Sequence, residues 1–150
     1  MKILVRKIVL VLFLAASFSA FALGVETAYV DVFSGNSSNI TRISTCGEWR
    51  SKSRAGQFRI IELFKYGMSY LYVDRVADNA SQTGMETING IGIKEFNNDH
   101  AEYTLSNVIC KPSKNAISIW AVAESGHDNS VKKIVIEVKA NDSYSIKGLQ

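Results

Sequence analysis

The sequence predicts an all-β fold, an antiparallel meander of about eight to ten short strands that forms a small barrel or a two-sheet sandwich. Three observations predict it. Apolar and polar residues alternate over several short stretches, as in strands with one buried face. Residues that favour turns separate these stretches. No stretch keeps a 3.6-residue apolar period for three turns, as an amphipathic helix would.

The predicted strands follow one another along the chain with short connections. The clearest is Val131–Lys139, where three apolar residues alternate with charged ones, the pattern of a half-buried antiparallel strand. Ala116–Ala123 is apolar on both faces, which predicts a central strand. The full set is Val25–Phe33, Asn39–Ser44, Gln57–Phe64, Ser69–Val76, Met85–Ile88, Ile91–Phe96, Ala101–Cys110, Ala116–Ala123, Val131–Lys139 and Ser143–Lys147.

Turn residues predict how these strands connect. Asn89-Gly90 between two isoleucines is the strongest short signal for a two-residue hairpin. Further turns are predicted at 65–67, 97–100, 111–115, 124–130 and 140–142. Only Thr45–Gly56 offers room for a longer cross-connection, so sequential hairpins favour a closed barrel slightly over a sandwich.

The first 22 residues have the pattern of a cleaved secretory signal peptide. Basic residues precede an apolar run from Ile8 to Phe21, and Ala20-Phe21-Ala22 matches the small-x-small cleavage pattern. We therefore expect a signal peptide over 1–22, of bacterial type, and a single all-β domain over 23–150 in the periplasm or outside the cell. The apolar run is too short for a stable membrane anchor.

Charge and cysteine content restrict the function of the remaining chain. Three of the 17 basic residues lie in the predicted signal peptide, and the other 14 balance 14 acidic residues, so no basic surface for nucleic acid is indicated. Cys46 and Cys110 are the only cysteines, and an even pair in an exported protein predicts a disulfide. A reactive thiol or a metal ligand is the alternative.

Three groups of residues are candidates for a binding surface. Gly47-Glu48-Trp49 resembles the G-x-W tripeptide that small barrels of the lipocalin and avidin kind carry near their opening strand, a resemblance of three residues, and a packing role for Trp49 is the alternative. Arg50, Lys52 and Arg54 place three positive charges in a predicted loop, which is either a docking patch or a solvated surface. Tyr66, Tyr70 and Tyr72 cluster around one predicted hairpin, with Tyr70 and Tyr72 on one strand face. With Leu71 and Val73 in the core, these two tyrosines are expected to face outward, where they could recognise a partner.

No recognisable catalytic motif is present, and we expect neither catalytic residues nor metal or cofactor ligands. His100 and His127 both lie in predicted turns near carboxylates, and they could act together only if the fold brings them into contact. The sequence thus favours an exported, non-enzymatic protein-interaction module such as an inhibitor or immunity protein, with a protein of the same compartment as partner. A carrier holding a small apolar ligand inside a barrel is the alternative. The carrier would need an interior that is not filled by side chains such as Ile60, Leu71, Leu105, Ile119, Ile134 and Ile136. An enzyme that uses a pair of carboxylates is the least favoured class of function.

Overall fold

The computed structural model describes Tyr29, residues 31–34 and residues 37–149. Two short helical turns come first, and eight strands follow. The elements are α1 (Asp31–Ser34), a 3₁₀ turn (Ser37–Asn39), β1 (Ile40–Arg50), β2 (Ala55–Lys65), β3 (Met68–Asp78), β4 (Met85–Gly92), β5 (Tyr103–Ser113), β6 (Ala116–Ser125), β7 (Val131–Lys139) and β8 (Tyr144–Lys147). The predicted signal peptide over 1–22 lies outside the described residues.

The predicted all-β class is confirmed, and the strands form two antiparallel four-stranded meanders. Sheet one has the order β1-β2-β3-β4 and sheet two the order β5-β6-β7-β8. The sheets pack as a sandwich and do not close into a barrel, so the slight preference for a barrel was wrong. Two sheets of four strands each bury one face against the other without the continuous ladder that a barrel requires.

One hydrophobic core lies between the sheets. Sheet one contributes alternate residues such as Phe58, Ile60 and Leu71, and sheet two contributes Ile119 and Ile136, all at most 1% exposed. These side chains come from facing strands and bury the inner face of each sheet, which drives the sandwich together. Five of the six residues named above as core fillers are buried in this core, and Leu105 is partly buried against it.

The predicted disulfide is confirmed. Cys46 on β1 is bonded to Cys110 on β5, and the bond therefore joins an edge strand of each sheet. On the same side of the sandwich, the Arg42 side chain donates a 3.1 Å hydrogen bond to the carbonyl oxygen of Val108. The two sheets are thus held together covalently and by a hydrogen bond along one pair of edges.

Tight turns account for the successive hairpins. Tyr66 and Gly67 alone connect β2 to β3, and both have positive φ, 55° and 79°. Positive φ at both central residues is the type I′ geometry that matches the twist of antiparallel strands. Thr45–Gly56, the one stretch with room for a longer cross-connection, holds a hairpin instead, since β1 continues to Arg50 and only residues 51–54 separate it from β2.

The predicted hairpin at Asn89-Gly90 was also wrong. β4 runs unbroken through both residues, and Ile91 still pairs with Val73 of β3. The ring of Tyr29 lies over Gly90, so closely that a Cβ atom there would stand 2.4 Å from it. The missing side chain therefore makes room for an aromatic ring. β4 ends at Gly92, so the predicted strand Ile91–Phe96 was wrong from Ile93 onward.

The predicted strand Val25–Phe33 was wrong where the structure describes it. Tyr29 lies in a turn and Asp31–Ser34 forms α1, while the rest of that range lies outside the described residues. Tyr29 and α1, here called the N-terminal segment, pack on the outer face of sheet one. Val32 is fully buried there among residues that include Ile61 and Tyr72. A second small core therefore covers the face that would otherwise contact solvent.

Candidate functional site

Trp49 is a core residue. Its side chain is 1% exposed and belongs to the core between the sheets. The indole Nε1 donates a 3.1 Å hydrogen bond to the carbonyl oxygen of Gln57, and the guanidinium of Arg75 lies 5.1 Å from the ring centre. Exposure as part of a binding surface was therefore wrong for this residue, and the packing alternative describes it.

The basic loop is partly neutralised within the molecule. Arg54 forms an ion pair with Glu86 and donates a 2.6 Å hydrogen bond to the carbonyl oxygen of Asp78. Arg50 lies 3.4 Å from Glu48. Lys52 is exposed and makes no ion pair within the described residues. The docking role of this loop stays a prediction, but two of its three charges already have carboxylate partners.

The three tyrosines do not form one exposed surface. Tyr66, in the β2–β3 turn, is 79% exposed, whereas Tyr70 is 5% and Tyr72 0% exposed. The prediction that Tyr70 and Tyr72 share the face opposite the inter-sheet core is confirmed, because both belong to the second small core. Their surface display was wrong, since the N-terminal segment covers that face.

A buried charge network lies beneath the N-terminal segment. The side chain of Asp74 on β3 is 0% exposed and accepts a 2.5 Å hydrogen bond from Arg59 Nη2. The Tyr29 hydroxyl also donates to Asp74, and Arg59 donates a 3.0 Å bond to Thr87 Oγ1. Burial, followed by the hydrogen bond to the Asp74 carboxylate, raises the pKa of Tyr29. The signal for this network was Asp74 itself, an aspartate directly after the apolar run Leu71–Val73, since a buried carboxylate must have a partner.

The outer face of sheet two is exposed and apolar, whereas that of sheet one is covered. Trp120 points outward from the central strand β6 and is 45% exposed. It pairs across the sheet with Ile109 on one side and Val135 on the other. Ile109 is 57% exposed, and Val135 is partly exposed. We call these three residues the Trp120 row.

Further residues on this outer face add apolar surface and charge around the row. Val122 and Val131 extend the apolar area, and Val131 is 63% exposed. Lys111 holds its ammonium 4.8 Å from the centre of the Trp120 ring. Cross-strand register places Lys111, Ser118 and Glu137 side by side in the adjacent row, and Glu137 pairs with Lys147 at 3.2 Å. An exposed aromatic anchor with an apolar surround and a charged rim has the composition of a protein-contact surface.

This open face was not predicted from the sequence, for a definite reason. The strand Ala116–Ala123 is apolar on both faces, which indicates a central, buried strand. β6 is central in its sheet, but one of its faces is left open by the described residues. The signal was present, since a tryptophan on the face opposite the core-directed isoleucines needs either a cover or a partner.

The two histidine-bearing turns do come together. His127 Nδ1 lies 3.5 Å from Glu102 Oε2, and its Nε2 lies 3.0 Å from the carbonyl oxygen of His100. Both imidazoles are more than half exposed. Hydrogen bonds from Ser130, its backbone N–H first, lower the pKa of the neighbouring Asp128 to about 2. No group of three or more potential metal ligands occurs within the described residues.

The carrier alternative requires an interior with room for a small apolar ligand. Buried side chains of both sheets pack together in the space between the sheets. The Tyr103 ring packs edge-on against Phe96 at 5.6 Å, and Trp120 lies on the outside. Two clefts of about 270 and 220 Å³ run along the β1 and β5 edges and share Glu62.

Comparisons with known proteins assign no relative to this chain: no family model, curated protein or solved structure matches it. Within the described residues, no helix has the length and apolar character needed to cross a membrane.

Proposed function

We propose that this chain is an exported, non-catalytic protein-interaction module whose contact surface is the outer face of sheet two. The observation that carries the proposal is the Trp120 row, in which Trp120 is 45% exposed on a central strand. Tryptophan, with its large apolar area and few rotatable bonds, is enriched among the residues that dominate binding energy at protein interfaces. Exposed apolar patches of this kind commonly mark interaction sites.

The contrast between the two sheets supports the proposal. The outer face of sheet one is covered by the chain's own N-terminal segment, with Tyr72 and Ile61 fully buried. The outer face of sheet two has no such cover among the described residues, and Ile109 and Val131 are each more than half exposed. A cover supplied by another protein would bury the same kind of surface.

Export is part of the proposal. The Cys46–Cys110 disulfide is compatible with an oxidising compartment such as the periplasm or the cell exterior, where such bonds persist. The sequence pattern over 1–22 supports the same location. An inhibitor or immunity protein remains one form that this module could take, and its partner would be a protein of the same compartment.

Site-specific crosslinking tests the proposed surface. A photo-crosslinking phenylalanine analogue is placed at position 120, and in a matched control at position 64, since Phe64 has nearly the same exposure, 47% against 45% for Trp120, on the other sheet. We expect illumination in an extract of the protein's own compartment to give a discrete crosslinked protein from position 120 and not from position 64. Mass spectrometry then identifies the product. Equal products from both positions, or none from position 120, would contradict the proposal.

A further inference from the structure

We infer that the partner on the outer face of sheet two is a second copy of this chain. The inference rests on the proposed contact surface and goes on to name its occupant. A two-fold axis lying between two such faces, parallel to β6 and passing through Trp120, makes the surface its own complement. Such an axis places each residue of β5 opposite the residue of the second copy's β7 that occupies the same cross-strand row.

The apolar residues match under this operation. Trp120 meets Trp120 of the second copy on the axis. Ile109 and Val135 flank Trp120 in register. Ile109 therefore faces Val135 of the second copy, and Val135 faces Ile109 of the second copy. Val122, two residues along β6, meets its own copy. The most exposed apolar side chains of the central rows are therefore covered by apolar side chains, as in the centre of a stable interface.

The charges in the adjacent row match as well. Lys111 on β5 and Glu137 on β7 occupy the same cross-strand row, since both are in register with Ser118. The two-fold axis therefore brings Lys111 opposite Glu137 of the second copy, twice in each dimer. Opposite charges that face each other in this way fix the register of an interface and disfavour other arrangements.

One like-charge encounter lies on the axis, between Glu124 and its copy. Glu124 is four residues from Trp120 along β6, which corresponds to about 13 Å. Twisted sheets packed face to face diverge away from their crossing point, so this exposed carboxylate lies at the margin of the contact. It weakens the dimer without preventing it.

The face is large enough for a weak dimer. The three strands that overlap about this axis, β5, β6 and β7, are about ten residues long, and at a spacing of about 4.8 Å they cover roughly 475 Å² in each copy. Two copies would bury roughly 950 Å², the size of a weak or transient protein interface. The outer face of sheet one cannot serve in the same way, because the N-terminal segment already covers it.

Sedimentation equilibrium of the full chain is the first test, over protein concentrations from about 1 µM to about 1 mM. We expect a monomer–dimer equilibrium for the wild type and at least about tenfold weaker association for Trp120→Thr. Phe64→Thr removes a comparably exposed aromatic residue from sheet one and should leave the dissociation constant unchanged.

Charge reversal tests the register of the dimer. Lys111→Glu alone and Glu137→Lys alone each create two like-charge contacts and should weaken the homodimer at least about tenfold. An equimolar mixture of the two variants restores both attractive contacts and should form a heterodimer at near wild-type affinity. Lys114→Glu, in the exposed β5–β6 turn outside this face, is the control and should have no effect. Rescue in the mixture also shows that both variants are folded.

The outcomes separate this inference from the proposed function. A wild type that remains monomeric at every concentration overturns the second copy as partner, and so does a dimer that Trp120→Thr does not weaken. A different protein crosslinked from position 120 would overturn the inference while supporting the proposed contact surface. Absence of any specific crosslink from position 120 would instead contradict the proposed function itself.

Discussion

Arg75 of β3 and Asp142 of the β7–β8 turn form an ion pair that joins the two sheets. Arg75 Nε donates to Asp142 Oδ1 at 2.8 Å, and Nη2 donates to Oδ2 at 2.7 Å. The side chains are 16% and 24% exposed, and the guanidinium also lies over the Trp49 ring. This pair lies far in sequence from the disulfide partners and links sheet one to sheet two through a separate contact.

Asp142→Asn should lower the free energy of unfolding by about 1 to 3 kcal/mol, since a largely buried hydrogen-bonded charge loses its partner. Asparagine suits the φ of 64° at this position, so the turn itself should survive. Urea unfolding measures the change. Glu86→Gln, in the exposed pair with Arg54, is the control and should cost less than about 1 kcal/mol. Equal losses of unfolding free energy in both variants would show that the inter-sheet pair stabilises the fold no more than the exposed pair does.

Removing the disulfide should lower the free energy of unfolding by about 4 kcal/mol in the chain-entropy model. The bond closes a loop whose ends are 64 positions apart, and its loss frees that loop in the unfolded state. Urea unfolding of the Cys46→Ala, Cys110→Ala double variant, compared with oxidised wild type, measures the effect. An unchanged unfolding midpoint would mean that packing alone fixes the edge strands.

Tyr29 should make stability depend on pH in the alkaline range. Burial and the hydrogen bond to Asp74 raise its pKa in the folded state above the ordinary value, which is about 10. The neutral phenol therefore stabilises the fold fully below about pH 10, and this stabilisation is lost as the pH rises through the folded-state pKa. Tyr29→Phe should be less stable than wild type at pH 7, with the difference shrinking above pH 10. Urea unfolding at several pH values measures it, and a constant difference would contradict the assignment.

Glu62→Gln should stabilise the fold at neutral pH. Burial raises the pKa of Glu62, Oε1 makes no hydrogen bond within the described residues, and Arg42 Nη1 lies 3.5 Å away. A carboxyl group with a raised folded-state pKa favours folding when protonated, so its ionisation costs stability at pH 7 and costs nothing below its unfolded pKa. The advantage of glutamine should therefore disappear as the pH falls below about 4.5. Stability curves that stay parallel across this range would show that the ion pair with Arg42 outweighs burial.

Most strands followed from local pattern. β7 begins and ends at the predicted residues, Val131 and Lys139, because its core-directed residues Ile134, Ile136 and Val138 recur at every second position. β5 was predicted to end at Cys110, but it continues through Pro112 to Ser113. It can do so because it is an edge strand, where a residue without a backbone N–H can leave its outer side unpaired.

Long-range packing overrode two strong local signals. Asn89-Gly90 has the residues of a tight turn, yet Gly90 lies in a strand beneath the ring of Tyr29, which is 61 positions away in sequence. The predicted strand at the start of the described chain is replaced by a turn and a short helix that pack on sheet one. The local residue pattern of these segments does not indicate such long-range contacts.

By itself, the sequence determined the all-β class, the meander of hairpins, the Cys46–Cys110 pairing and which side of β3 carries Tyr70 and Tyr72, because alternation and turn chemistry act between near neighbours. The tertiary structure decided that the sheets form a sandwich, that Tyr70 and Tyr72 are buried in a second core with Val32 of the N-terminal segment, and that Trp120 stays exposed. A period of two assigns a residue to one face of a sheet, and only the packing of distant segments determines whether that face is covered.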